Sequence, residues 1–135
     1  MNFEAAVAAH EAWKMRLRSA MRNGNGLDAD VIGRDDCCEL GRWLRHAAPH
    51  RLRASVAFAE CMQVHAGFHL EAARIAVAVN EGRHADADAM LAPGSSYAHA
   101  SDAVVAALAR LQREQFASDE PLPGGAMPAD RSEQP

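Results

Sequence analysis

Apolar residues recur at three- and four-residue intervals in three separate stretches of this chain, a spacing that an α-helix turns into a continuous stripe. Phe3, Val7, Trp13, Leu17 and Met21 form the first stripe, with Ala6 and Ala20 between them and His10 inside it. Asn23-Gly24-Asn25-Gly26 breaks that pattern and places the end of the first helix near Arg22. A second, long helix is expected from Pro49 to Asn80, facing Leu52, Val56, Met62, His65, Phe68, His69, Ala72, Ile75 and Val79 inward, with Gly82 to end it. The third carries Val104, Val105, Leu108 and Leu111 or Gln112, and Ser95 or Ser96 can cap its start.

Shorter pieces fill the intervals. A connection from Leu27 to Arg34 leads to Asp36-Cys37-Cys38-Glu39, where the Asp/Glu spacing resembles a capping box and predicts a short helix through Trp43-Leu44 that stops before Pro49. Arg83 to Leu91 reads as another short helix, closed by Pro93-Gly94. Aromatics are only 5% of the chain although 49% is apolar, because Ala dominates, and Ala loses no side-chain entropy in a helix. The expected fold is all-α: an antiparallel four-helix bundle with an additional short helix, spanning residues 1–116. From Ala117 the chain turns polar and proline-rich, so residues 117–135 are expected to form a disordered tail.

Composition excludes several classes of partner. The net charge is −4 and the arginines are interspersed with acids, which leaves no basic face for nucleic acid. The longest strongly apolar run, Ile75 to Val79, cannot span a bilayer, and Met1 to Lys14 lacks the basic start and apolar core of a targeting segment. Three cysteines without such a segment point to reduced thiols in the cytoplasm rather than a disulfide framework.

Seven histidines are the unusual count. His65 and His69 lie one turn apart on the long helix, so their rings can grip one metal ion from the same face. Both sit on the apolar stripe, where each imidazole would otherwise need its own hydrogen-bond partner. His10 repeats the anomaly on the first helix. A thiolate would complete a tetrahedral, zinc-selective set, and Cys37 and Cys38 both lie at the start of the short helix, where the helix dipole favours it. Cys61 shares a helix face with His65, but a small buried hydrophobe accounts for it. His46, His50, His84 and His99 fall near helix ends or on exposed positions.

Three motifs together resemble the chemoreceptor zinc-binding domain of bacterial signalling proteins. They are His10-Glu11-Ala12-Trp13-Lys14, Cys38-Glu39-Leu40-Gly41-Arg42-Trp43 and His65-Ala66-Gly67-Phe68-His69, with Gly94-Ser95-Ser96-Tyr97 as a later match. The resemblance covers about Phe3 to Phe116 and implies one Zn2+ held by His10, Cys38, His65 and His69, on a short helix and two long ones. It selects Cys38 because that residue precedes Glu-Leu-Gly-Arg-Trp; Cys37 is then either an alternate thiolate or, the preferred reading, the first residue of the helix. Trp13 and Trp43 are expected to wall the metal from water.

A site with three nitrogens and one sulfur has no open position for an activated water, so the expectation is a regulatory domain and not an enzyme. No Glu stands beside the His pair as a general base, and no Glu-x-x-His motif lies on an inward stripe. The resemblance implies sensing of zinc, or of oxidants such as hypochlorous acid through Cys38, with a homodimer and a chemoreceptor, diguanylate cyclase or other signalling protein as partners. The competing readings are a structural zinc bundle that serves only dimerisation, and an enzyme with an open three-histidine site that Cys38 does not join.

Overall fold

The computed structural model describes residues 1–119, and all regular structure within them is helical. The elements are α1 (Phe3–Glu11), α2 (Trp13–Asn23), α3 (Ala29–Ile32), α4 (Glu39–Arg42), α5 (His50–Arg53), α6 (Val56–Asn80), α7 (His84–Met90) and α8 (Ser96–Asp119). A π-helical turn, Trp43–Ala47, continues α4. The expected boundary at residue 116 falls within α8, which includes residues 117–119 of the expected disordered tail; the rest of that expected tail lies outside the described residues.

The first stripe, expected as one helix, is divided at Ala12. The division is slight, because the Ala12 N–H still donates to the Ala8 carbonyl at 3.0 Å and the Arg16 N–H to Ala12 at 3.1 Å. Asn2 caps the start of α1 through its side-chain oxygen, and Gly24, at φ +68°, supplies the left-handed residue that ends α2.

The helix expected from Pro49 to Asn80 is two helices. Ser55 leaves helical geometry, accepts the Phe58 N–H at 3.0 Å and donates its hydroxyl to the Leu52 carbonyl at 2.8 Å. A serine that satisfies backbone groups on both sides favours a break over continuation. Val56 consequently begins α6 and is 84% exposed, not inward. Asp36 does not cap the short helix either. Its carboxylate pairs with Arg34, and the cap is Cys38, two residues later. The connection from Leu27 contains α3, capped by Asp28, and the two amide–backbone bonds between Asn80 and Leu27 (2.7 and 2.8 Å) tie its start to the end of α6.

Helix α6 is the centre of the packing: α8 lies along it, and α2, α3, α5 and α7 also touch it, while α1 leans on α8. Leu17, Phe68, Ala72, Ile75, Val104, Leu108 and Leu111 are fully enclosed where these helices meet. Phe68 is wedged between His10 and Tyr97, with ring centres 5.0 and 5.4 Å away. Phe68→Ala should therefore lower unfolding free energy by about 3–5 kcal/mol in urea titrations, whereas Val56→Ala should cost less than about 0.5 kcal/mol.

Candidate metal centre

The three histidines named from the sequence are, among the described residues, the buried polar side chains: His10, His65 and His69 are 2%, 1% and 1% exposed. His10 comes from α1, His65 and His69 from successive turns of α6, and Cys38 from the cap of α4. One ligand atom from each of the four lies within 4.8 Å of the others. Cys38 Sγ is 3.2 Å from His65 Nε2 and 3.6 Å from His69 Nε2, and the two Nε2 atoms are 3.1 Å apart. Bond lengths of about 2.0–2.1 Å to nitrogen and 2.3 Å to sulfur give edges of about 3.3–3.6 Å in a tetrahedral zinc shell. The separations among Cys38, His65 and His69 sit close to that scale.

Local structure aims each group. His10 Nδ1 lies 2.9 Å from the Ala6 carbonyl, and His69 Nδ1 2.8 Å from the Ile32 carbonyl. A carbonyl only accepts, so both Nδ1 atoms carry the proton and both Nε2 atoms present a lone pair. This is the arrangement that orients histidine ligands in metal sites. His10 Nε2 is buried with no hydrogen-bond partner, and a metal ion at the centre of the cluster would satisfy it. The donor set and its spacing thus fit a zinc ion.

Cys38 is held by its own cap. Its Sγ accepts the Gly41 N–H at 3.3 Å, and Gly41 is required there because a Cβ would lie 1.6 Å from the Asp35 carbonyl oxygen. The loop before it is clamped from outside. Arg45 pairs with Asp35 at 2.8 Å, Arg42 donates to the Cys37 carbonyl at 2.8 Å, and Arg34 pairs with Asp36. Trp13 stands edge-on to His69, 6.3 Å between ring centres, and Arg16 covers its outer side. Trp43 is set against Phe3, so of the two tryptophans expected to wall the site, Trp13 is the one in contact with a site histidine.

Burial sets the protonation states. Desolvation pushes the His65 pKa down to about 3, helped by repulsion from His69 and His10 when they are protonated and from Arg45. His10 and His69 are also lowered by burial, with their carbonyl bonds acting in the opposite sense. All three are neutral near pH 7, the form that binds metal. Burial raises the Cys38 pKa, partly offset by the backbone N–H groups of Gly41 and Leu40.

The structure leaves the other candidates outside this group. Cys37 sits in the bend before α4 rather than opening the helix, with its Sγ 3.6 Å from Asp36. Cys61 is fully buried in the core, and desolvation raises its pKa to about 11. His46, His50, His84 and His99 are exposed. Sequence reasoning missed the Ile32 carbonyl, a backbone group with no side-chain signal, and the Asp35–Arg45 clamp, whose charges ten residues apart carry no periodic mark. The Ala6 carbonyl was within reach, four residues before a helical histidine.

Residues 10–76 match the family model of the chemoreceptor zinc-binding domain, a stretch that includes all four clustered residues. The chain carries a domain of this family. No curated protein and no solved structure matches it. No described helix is long and apolar enough to cross a membrane.

Two outcomes test this geometry. Gly41→Ala should displace the Cys38 cap and lower both thermal stability and metal content, while Gly67→Ala, whose Cβ would meet nothing, should preserve both. In metal-free protein the unfolded chain protonates its histidines below about pH 6.5, but folded His65 resists down to about 3. Stability should therefore hold above pH 6.5 and fall as the pH drops through that window, by about 1.4 kcal/mol per pH unit for His65, read from urea midpoints. A flat profile between pH 7 and 4.5 would contradict the buried neutral imidazoles.

Proposed function

We propose that the chain is a zinc-responsive regulatory domain in which His10, Cys38, His65 and His69 hold one Zn2+. One observation carries the reading: four ligand atoms from three separate elements converge within 4.8 Å, and those of Cys38, His65 and His69 stand 3.1–3.6 Å apart, close to the edges of a tetrahedral zinc shell. Three nitrogens and one sulfur complete that shell, so the domain regulates rather than catalyses. We read the packing of α6 with α8, α1 on α8 and α2 on α6, as the antiparallel four-helix bundle around this centre.

A bound zinc ion supplies a cross-link between segments that are distant in sequence. His10 couples α1 to it, Cys38 couples the clamped loop, and His65 with His69 couple α6. Occupancy then biases how α1 seats on the rest of the bundle, which a bound signalling partner or second copy would read. Leu70 and Val77, on the outer face of α6, are exposed apolar residues that a second copy would cover. Cys38 is the half-buried member of the set and supports a redox input as well. Its thiolate would take the oxygen of hypochlorous acid, expelling chloride and leaving a sulfenic acid that binds zinc more weakly.

Elemental analysis should find about one zinc per chain, and His65→Ala should abolish it. X-ray absorption should count one sulfur and three nitrogen neighbours; a sulfur-free shell would instead support the open, catalytic arrangement. Since the histidines are already neutral, binding near pH 7 should release about one proton, from Cys38, visible as a buffer-dependent enthalpy. Zinc withdrawn by a graded chelator from protein that stays folded supports a sensor. Release only on unfolding supports a purely structural ion.

A further inference from the structure

A cleft of about 430 Å³ opens between α1, α3 and the Cys37–Leu40 segment. His10, Cys38 and His69 line its inner part, so three of the four converging ligands face it, and His65 does not. The small side chains of Ala5 and Ala9, both exposed on α1, form part of its wall. Cys37 lines the same cleft, half-buried and outside the four-residue cluster. His10, which lines this cleft, has a buried Nε2 without a hydrogen-bond partner.

We infer that the cleft is the route by which zinc enters and leaves the centre, and that Cys37 is a transfer ligand within it. The inference rests on the metal-site reading above. Its chemistry needs no oxidant. Entering as the hydrated ion, zinc would exchange one bound water for the Cys37 sulfur, whose thiol proton passes to solvent. Cys38 then loses its own proton and displaces the Cys37 sulfur, which is reprotonated. One Zn–S bond is broken as another forms, and the net change is one proton released per ion bound. Release runs through the same steps in reverse. A thiol that lines the same cleft as the resting ligands acts at high local concentration, so it lowers the barrier to exchange without adding to the final affinity.

Stopped-flow mixing of purified full-length protein with Zn2+ and a chromophoric chelator reads both directions. Cys37→Ser should slow association and chelator-driven release by the same factor, roughly tenfold, at unchanged Kd and zinc content. Ala9→Trp, which fills the cleft from an exposed helical position, should also slow both rates while the thermal melt of the zinc form stays in place. Unchanged rates in both variants would overturn the proposal. So would unequal effects of Cys37→Ser on the two rates, since a shifted Kd would make Cys37 a ligand of the resting site. Wild-type protein that binds no zinc would refute the metal centre itself, an outcome distinct from zinc-binding protein whose rates ignore Cys37.

Discussion

The constraint on which the site depends is the burial of three imidazoles, none of them more than 2% exposed. Enclosing His10, His65 and His69 removes their solvent hydrogen bonds, and the protein returns only part of them. The Ala6 and Ile32 carbonyls satisfy two Nδ1 protons. The Nε2 side of the cluster is left with ring nitrogens and one thiol crowded at 3.1–3.6 Å, and with one nitrogen unmatched. Such an interior is costly as a purely organic core. It is coherent as the donor shell of a cation, and this tension gives the site its character.

The cysteine is positioned by different physics from the histidines. The rings are carried by regular helices, whose geometry is robust. The thiol depends on an irregular loop that must pass so close to α4 that position 41 admits no side chain. Three arginine contacts hold that loop from the solvent side. The nitrogen ligands are thus held by regular helix geometry and the sulfur by a clamped loop. An input that acts on sulfur would meet the half-buried, cleft-facing ligand before it met the enclosed nitrogens.

Where sequence reading departed from the structure, the reason was local backbone chemistry. Periodicity ran straight through Ser55, because an apolar stripe does not register a hydroxyl that caps one helix and closes another. Asp36 looked like a cap by spacing, but Arg34 two residues away offered its carboxylate a charged partner, and the weaker acceptor Cys38 Sγ took the capping role. Expecting Val56 to face inward followed from the same missed break.

The sequence by itself determined the helical class, since three- and four-residue spacing has no other repeat to satisfy, and it singled out the His65/His69 pair, because residues four apart on a helix must share a face. It also marked Cys38, though through a family resemblance rather than through physics. Only the tertiary structure decided that His10 and Cys38 meet that pair, that Cys61 is excluded from it despite its favourable spacing, and that Cys37 faces the cleft instead of the cluster. Periodicity specifies which side of a helix a residue occupies. Which neighbour stands there is set by how α1, the clamped loop and α6 pack, and that packing depends on contacts such as Asn80 with Leu27, 53 residues apart in the chain.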